Sequence, residues 1–361
     1  YLKKHTFMKL KLTILSIATL FSVNTFAGNE DRIGAAGATQ LLINPWGRTS
    51  GWGNAGGAHV KGLEAIQLNV AGLALAGKTQ IGFSNTTWMQ STDIKINSFG
   101  LAQRVGESSV LGVTIMSTNY GNIPITTEEL PEGGLGTFSP SSFLMNLAYA
   151  REFSASITGG INIKILNEGI SNARSSGIAF DAGVRYVTGE NDQIKIGLAL
   201  KNVGPPLKFK GDGFAIETMN PFTEISTTTE QRTANFELPS LINIAAAYDF
   251  LINENNKLTM AGTFTSNSFQ RDQFSVGGEY SLNAKKIVVI LRAGLAYEEG
   301  IFSDEETLSA LSGPTAGVSL DFPFGKNESS MGIDYSYRTA PVLGGIHTVG
   351  VTLKLGSSDE D

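Results

Sequence analysis

One short run in the sequence has the residue types and spacing of a nucleotide-binding loop. Gly51, Gly53 and Gly56 match G-x-G-x-x-G, in which glycines let the backbone approach a pyrophosphate. That fingerprint requires a preceding strand, a surrounding βαβ unit and an acidic residue about 20 positions further on at a second strand end. The sequence provides none of these, and such a match arises easily in a glycine-rich region. We therefore predict no cofactor site.

Patterns for catalysis and metal binding are equally hard to find. His5, His59 and His347 have no spacing that suits a zinc site, and the chain has no Cys. No G-x-S-x-G nucleophile elbow occurs. The acidic run at 298–306 leaves weak calcium binding as an alternative, although charge runs are usually solvated surface. The sequence predicts no catalytic residue, no metal site and no enzyme.

Charged residues of both signs fall on the polar faces of alternating segments. The lumen charges, as we call them, are Asp181, Arg185, Asp249, Asp334 and Arg338. Because charges in lipid are costly, we expect these side chains to point into a barrel lumen and to pair with one another or with a plug. A substrate-binding role is the alternative. Arg48 is expected to contact one of the three acids, since an unpaired buried guanidinium is strongly destabilising.

A strict period of two organises the chain after residue 77. Ile194, Ile196 and Leu198 alternate with Lys195 and Gly197, and the same pattern recurs along the sequence. The predicted strands are 78–89, 93–105, 108–119, 142–153, 155–167, 175–189, 193–203, 240–251, 256–267, 271–281, 286–298, 313–322, 328–339 and 347–355. Segments of about ten residues can cross a bilayer as tilted strands. The sequence therefore predicts an all-β, transmembrane antiparallel outer-membrane β-barrel of about 14 strands.

The connections between these segments test the count. Those after even-numbered strands are short, whereas the long ones, Tyr120–Ser141, Gly204–Pro239 and Glu299–Ser312, all follow odd-numbered strands. Such parity is typical of outer-membrane barrels, in which short turns face the periplasm and long loops face outward. A soluble β-sandwich is the alternative, but it seldom needs strands this long and regular.

The segment before the first strand is rich in glycine and also carries large apolar residues. Residues 37–77 are too irregular for a strand and too rich in glycine for a stable helix, yet Trp46 and Trp52 require burial. We predict that this segment is an N-terminal glycine-rich plug in the lumen of the barrel, with both tryptophans buried.

Composition and charge set the compartment and exclude one class of partner. Residues 1–27 have the basic, apolar and small-residue regions of a signal peptide, which leaves a plug at 28–77, a barrel at 78–355 and an acidic tail at 356–361. Without residues 1–27, the chain has 23 basic and 33 acidic residues and a formal net charge of −10, which disfavours nucleic acid as a partner. The predicted location is the bacterial outer membrane, with outer-membrane lipid around the barrel.

A resemblance to a known family rests on the plug. The run from Leu41 to Ala58, followed by Asn69-Val70-Ala71-Gly72-Leu73, resembles the N-terminal segment of the PorV/PorQ family, in which LLI-x-P-x-A-R-x-x-G-M-G leads to N-P-A-G-L. The residues that carry it are Asn44, Pro45, Trp46, Arg48, Gly51, Trp52, Gly53, Gly56, Gly57 and Asn69. Asn202-Val203-Gly204-Pro205 resembles the N-[IV]-G-P of the same family. These are outer-membrane proteins of the type IX secretion system and are similar in architecture to the FadL transporter.

The resemblance implies a function and a set of partners. A PorV-like protein binds the C-terminal signal domains of secreted proteins and carries them from a large translocon barrel to the attachment complex. The alternatives are a FadL-like channel for hydrophobic small molecules, with an apolar pocket between plug and wall, and a PorQ-like structural subunit of the attachment complex.

The long loops Tyr120–Ser141 and Gly204–Pro239 are the expected contacts for cargo. Both carry apolar residues that a solvated loop does not need, namely Leu130, Leu135 and Phe138 in the first and Leu207, Phe209, Phe214, Met219 and Phe222 in the second. These side chains either contact cargo or fold the loops onto the mouth of the barrel, and the sequence gives both interpretations equal weight.

Overall fold

The protein is a closed antiparallel β-barrel of 14 strands. The computed structural model describes residues 32–219, 222, 225–284, 286–301, 311–324, 329–340 and 344–356. The predicted signal peptide and residues 357–361 of the predicted tail lie outside these ranges. The barrel strands are β1 (Thr79–Thr87), β2 (Lys95–Val105), β3 (Ser109–Asn119), β6 (Ser141–Ser154), β7 (Ile157–Ile170), β8 (Ala173–Thr188), β9 (Ile194–Val203), β12 (Leu241–Asn253), β13 (Asn256–Asn267), β14 (Gln273–Asn283), β15 (Val288–Glu298), β16 (Gly313–Phe324), β17 (Ser329–Arg338) and β18 (Ile346–Leu355).

Each barrel strand pairs with its neighbour in the chain, and β1 pairs with β18 to close the sheet. The predicted fold class is confirmed, and every predicted strand is present. The largest difference in a boundary is at β7, which is predicted to end at residue 167 and ends at Ile170. Period-two alternation locates these strands well because it reflects the two faces of one wall.

The wall of the barrel is apolar outside and polar or small inside. In β9, Ile196 and Leu198 are 47% and 52% exposed, whereas Lys195 and Lys201 are 4% and 7% exposed. A soluble sandwich would bury the isoleucine and leucine side chains and expose the lysines. The sandwich alternative is therefore wrong, and the outer face is built for lipid.

Two short ribbons extend the long connections of the barrel. The connection between β3 and β6 holds β4 (Ile123–Pro124) and β5 (Thr137–Phe138), and the connection between β9 and β12 holds β10 (Ala215–Met219) and β11 (Ser226–Glu230). A 3-10 turn, Asp212–Phe214, precedes β10. With short turns on the opposite side, the predicted parity of the connections holds.

The N-terminal segment, residues 32–77, fills the lumen and is called the plug below. It contains two α-helices of four residues, α1 (Gly47–Ser50) and α2 (Ala65–Leu68), and 3-10 turns at Thr39–Leu42 and Val70–Leu75. Its residues contact all 14 barrel strands, which is only possible from inside. No helix in the described part of the chain is long and apolar enough to cross a membrane.

Apolar packing fixes the plug at two levels. Near the periplasmic end, Trp46, Leu63 and Leu73 pack against alanines of β2 and β6. Near the extracellular end, Leu41 and Ile43 pack with Ile96, Met116, Leu144 and Leu166 of the wall. Burial of each such leucine contributes about 1.5–3 kcal/mol, so the plug is a packed core and not a loose insert.

Candidate functional site: plug, lumen charges and extracellular loops

A ring of wall glycines makes room for the plug. On ten of the barrel strands, a Cβ built on an inward-facing glycine would lie within 3.0 Å of a plug atom. These glycines are Gly82, Gly100, Gly112, Gly160, Gly183, Gly197, Gly277, Gly294, Gly317 and Gly332. The plug backbone lies directly on the wall at Gly160, Gly197, Gly277, Gly294 and Gly317, and plug side chains pack against the other five glycines. The interface therefore has little space for a ligand at these positions.

Trp52 is packed tightly against two strands of the wall. The residue is 2% exposed, and a Cβ on Gly277 would come within 2.8 Å of its backbone oxygen. The glycines Gly53 and Gly56 of the rejected nucleotide motif serve this packing: Gly53 has a φ of 71°, and Gly56 lies under the Trp52 indole. The glycines of this run thus serve the packing of the plug.

Arg48 joins the plug to β16 and β17. Its Nη2 donates to Asp321 Oδ1 at 2.5 Å, and its Nε donates to Asp334 Oδ1 at 3.1 Å. Burial lowers the pKa of the guanidinium, but the carboxylates of Asp334 and Asp321 outweigh burial and raise it above its ordinary value. Asp334 is one of the three predicted partners. Asp321 of β16 is the second carboxylate that pairs with Arg48.

Glu64 lies close to this ion cluster. Its Oε2 accepts a hydrogen bond from the Thr49 backbone N–H at 3.1 Å, and the residue is 4% exposed. Burial, and next the nearby charge of Asp334, raises the pKa of the carboxyl to about 7, with Arg48 opposing. The plug therefore holds a carboxyl that titrates near neutral pH.

His59 lies in a second charged cluster, formed with β9, β12 and β14. Lys195 Nζ is 3.0 Å from His59 Nδ1 and also contacts Asp249, while His59 Nε2 is 3.6 Å from Glu279 Oε1. Glu279 also accepts from Arg292 Nε at 2.7 Å. Burial lowers the pKa of His59 although Glu279 opposes it, which favours the neutral ring, the form that can accept a hydrogen bond from Lys195.

The Asn-Val-Gly-Pro run at the end of β9 closes a third polar cluster. Asn202, with a φ of 59°, accepts from Lys164 Nζ at 2.6 Å and donates to the Pro239 carbonyl at 3.0 Å. Its backbone N–H donates to Asp181 Oδ1 at 2.8 Å, and Lys164 pairs with the same carboxylate. Asn202 thus ties the end of the long loop to the wall.

The two arginines among the predicted lumen charges bind backbone carbonyls. Arg185 Nε donates to the plug carbonyl of Ala58 at 2.8 Å, and Arg338 Nη1 donates to the carbonyl of Leu311 at 3.2 Å. Both are 5% exposed, and the three predicted acids are also largely buried within the lumen. All five lumen charges point inward. They support the plug, the wall and a loop.

The remaining motif residues shape the plug itself. Asn44 donates to Asn54 at 2.7 Å and accepts from the Trp46 N–H at 3.1 Å, which sets the chain direction just before α1. Asn69 accepts from the Ala71 N–H and donates to the Val184 carbonyl of β8 at 3.1 Å. The Pro45 carbonyl accepts a hydrogen bond from the Thr86 hydroxyl. Gly51 packs against Gly317 of β16, and Gly57 packs against Ala245 of β12.

Cavities between plug and wall are lined by both charged and apolar side chains. One of about 170 Å³ is lined by Arg48, His59, Glu64, Glu279 and Arg292, and also by Trp52, Val60 and Ile290. A smaller one of about 60 Å³ is lined by amide side chains such as Asn243 and Asn267 and by leucines such as Leu68 and Leu241. Glu64 and Glu279 are not among the residues predicted from the sequence, although the strand alternation that places Asp249 inside also places Glu279 inside.

The long loop between β9 and β12 divides into a buried base and an exposed ribbon. Leu207 and Leu238 are 4% and 3% exposed and belong to the extracellular apolar cluster. The Phe209 ring packs on the Phe236 ring, with 5.7 Å between the ring centroids. Leu207 is therefore not available to a partner, which corrects its proposed contact role. Phe214 is half-buried at the base of the ribbon.

The ribbon itself carries exposed apolar side chains. Met219 is 69% exposed, Phe222 is 93% exposed and Ile225 is 61% exposed. The other long loop adds Leu130 and Leu135, at 47% and 51%. The base of the loop folds onto the barrel mouth, as one of the two interpretations predicts, and its ribbon presents apolar surface.

An apolar groove of about 630 Å³ lies on the outer face of β6–β9. Its lining includes the outward-facing side chains of Tyr149, Phe153, Ile161 and Leu198 and the glycine Gly159. The groove faces the region of lipid. Among the described residues, no group of three or more His, Cys, Asp or Glu could hold a metal ion.

Comparison with known proteins gives structural neighbours only. No family model matches the sequence, and no curated protein matches it. The CymD monoaromatic hydrocarbon channel has a TM-score of 0.55 and 12% identity, covering 88% of this chain and 99% of that one. The Ralstonia pickettii toluene transporter TbuX has a TM-score of 0.52 and 14% identity, covering 87% and 98%.

A Pseudomonas aeruginosa FadL homologue is similar at the same level, with a TM-score of 0.52, 10% identity, and coverage of 85% of this chain and 98% of that one. At such identities the likeness establishes the fold. The chain is a 14-stranded barrel of FadL-like architecture, the architecture of bacterial outer-membrane transport proteins. The predicted location in the bacterial outer membrane agrees with this architecture.

Proposed function

We propose that this barrel docks secreted proteins at the cell surface as a PorV-like component of the type IX secretion system. The observation that supports the proposal best is the contrast between a filled lumen and an exposed, apolar extracellular ribbon. A plug that contacts every barrel strand leaves small, charged cavities, whereas Met219 and Ile225 offer apolar surface to a partner.

The partners follow from the resemblance carried by the plug motif. They are the C-terminal signal domains of secreted proteins, a large type IX translocon barrel and the subunits of an attachment complex. A shuttle has to release its cargo, so a contact of modest area on two loops suits the task better than a deep lumen site. A PorQ-like role inside the attachment complex uses the same surface without cargo.

The experiment removes the ribbon and keeps the base of the loop. Replacing residues 212–231 by a short Gly-Ser turn leaves Leu207, Phe236 and Leu238 in the apolar cluster, so the barrel should assemble. Display of a reporter fused to a C-terminal signal domain should then fall at least tenfold in cells that carry only this variant. Normal display from a normally assembled variant would reject the proposed docking site.

A point variant and its control refine the same experiment. Replacing Met219 and Ile225 by Ser removes apolar surface and should reduce display, whereas Thr229→Ser changes a polar position of the same ribbon and should not. Equal loss in both variants would indicate a general defect of the loop and not a docking surface.

Passage of hydrophobic small molecules is the second candidate, and the named neighbours favour it over the first. CymD is described as a monoaromatic hydrocarbon channel and TbuX as a toluene transporter. The observation on this chain that favours it is the apolar groove on the outer face of β6–β9. In this candidate the groove binds an apolar molecule as it passes between the wall and the membrane.

A variant that fills the groove tests the second candidate. A Cβ at Gly159 would come within 2.8 Å of the Phe153 ring, so Gly159→Val should obstruct the groove. Gly169→Ala is the control, because its Cβ would meet only Ser141 Oγ at 3.9 Å. Toluene uptake that falls severalfold in the first variant alone would support a channel, and uptake that is unchanged would reject it.

A further inference from the structure

The ribbon formed by β10 and β11 has two edges with no strand beside them. In the described ranges, β10 and β11 pair only with each other, over five residue pairs from Ala215–Glu230 to Met219–Ser226. All five residues of β11 are exposed. A strand edge of this kind presents backbone N–H and C=O groups that have no protein partner.

The hydrogen-bond pattern shows which backbone groups face outward. The Gln231 N–H donates to the Phe214 carbonyl at 2.8 Å just below the ribbon. In an antiparallel ladder, hydrogen-bonded and non-hydrogen-bonded pairs alternate, so Ile216–Thr229 and Thr218–Thr227 are bonded pairs. The N–H and C=O of Ser226, Thr228 and Glu230 consequently point away from β10, along the outer edge of β11.

The β11 edge lacks several of the features that commonly protect a strand edge. Its sequence, Ser226-Thr227-Thr228-Thr229-Glu230, has no Lys and no Pro, and its register with β10 has no bulge. Threonine favours the extended conformation. The β10 side, in contrast, follows the turn Asp212–Phe214 that lies against Asn172 and Ala173 of the wall. The β11 edge is thus regular and exposed along its whole length.

From this geometry we infer that the β11 edge accepts an extended strand from a secreted partner protein by β-strand addition. The inference rests on the proposed function, because it names how the ribbon would hold its cargo. Three outward-facing residues offer up to six backbone hydrogen bonds, and such bonds fix alignment without selecting a sequence. Met219 and Ile225, at the end of the ribbon, add apolar contact. This mode suits a protein that carries many different cargoes.

Two substitutions at Thr228 separate the contribution of its backbone N–H to binding from that of its side chain. Thr228→Pro removes the outward N–H and leaves the internal bonds of the ribbon intact, because that N–H does not point to β10. Thr228→Ala removes the same side chain and keeps the N–H. With the protein in nanodiscs and a purified C-terminal signal domain as probe, we expect Thr228→Pro to weaken binding at least tenfold and Thr228→Ala to change it less than twofold.

Hydrogen exchange gives a second readout that needs no variant. In the free protein, the amides of Thr227 and Thr229 should exchange slowly and those of Ser226, Thr228 and Glu230 quickly. Addition of the signal domain should slow the three fast amides. If their exchange is unchanged while the domain is bound, strand addition is wrong.

The possible results separate strand addition at β11 from the proposed docking function on which it rests. Binding that is lost on replacement of residues 212–231 but equal in both Thr228 variants would overturn strand addition and keep the docking function. No binding by the unmodified protein would overturn both. If Thr228→Pro converts a dimer of the barrel into a monomer and leaves binding unchanged, the edge pairs with a second copy and the inference is wrong.

Discussion

Gly51 of the plug and Gly317 of β16 touch backbone to backbone. A Cβ on Gly51 would lie 2.9 Å from the Gly317 Cα, and a Cβ on Gly317 would lie 3.0 Å from the Gly51 Cα. Neither position tolerates a side chain without movement of the plug or of the wall. The close approach of plug and wall at this point therefore depends on glycine at both positions.

Gly317→Leu should therefore loosen the plug. Overpacking at a site without free volume costs about 1–3 kcal/mol, and here the cost falls on the contact between plug and wall. Limited proteolysis of the folded barrel should cut the plug faster in this variant. Gly262→Ala is the control, because its Cβ would meet only atoms at 3.7 Å or more and should leave the cleavage rate unchanged.

Replacing Arg48 alone should destabilise the protein more than replacing Arg48 together with its two acidic partners. Arg48→Ala leaves the carboxylates of Asp321 and Asp334 buried without their guanidinium, which costs about 3–5 kcal/mol. Urea unfolding in detergent should show this as a lower midpoint. Adding Asp321→Asn and Asp334→Asn to Arg48→Ala should restore part of the loss. If the triple variant is less stable than the single one, the ion cluster is not the cause.

The Glu64 carboxyl predicts a specific dependence of stability on pH. Its pKa in the folded protein is about 7, above the ordinary value of 4.5, so the native state binds more protons than the unfolded state between these two pH values. Its contribution to stability is fully present below pH 4.5 and decreases as pH rises through about 7, by up to about 3 kcal/mol.

Glu64→Gln should remove this dependence. The variant should be more stable than the unmodified protein at pH 8 and similar to it at pH 5, because Gln resembles the protonated acid. The measurement is the urea midpoint of both proteins across this range. A parallel loss of stability in both proteins as pH rises would assign the effect to another group.

Single cysteines test the orientation of the barrel. The chain has no native Cys, so each introduced thiol reports one position. Thr228→Cys on the ribbon should react with a membrane-impermeant maleimide in intact cells, and Asn191→Cys in the short turn between β8 and β9 should react only after the outer membrane is opened. The reverse result would invert the assigned topology.

The sequence predicts the wall of this barrel better than its contents. Alternation over about ten residues locates each strand, because one face of the wall meets lipid and the other meets the lumen. The same alternation places Asp181, Asp249 and Asp334 inside. It cannot predict which lumen acid meets Arg48, because that depends on the stagger of neighbouring strands and on the path of an irregular plug.

Two features of the site are harder to predict from the sequence than the strands of the wall. The ring of glycines, such as Gly277 and Gly294, becomes visible only when strand register brings residues from distant segments to one level. Leu207 and Met219 are both apolar residues of one loop, yet one is buried and the other is 69% exposed. Composition does not separate them, whereas the contact of Leu207 with the apolar cluster does.

The contacts of the plug also constrain the order in which the chain can fold. Arg48 reaches Asp334 across 286 positions, so one of the first ordered residues finds its partner among the last strands to be made. Contacts this distant in sequence form slowly, because a long loop must close before they contribute. We expect the plug to lie within the forming sheet before β1 pairs with β18, because a closed barrel could admit it only through one end. In that order, pairing of β1 with β18 completes the wall and the packed interior together, and a barrel that closed without the plug would have to admit it afterwards.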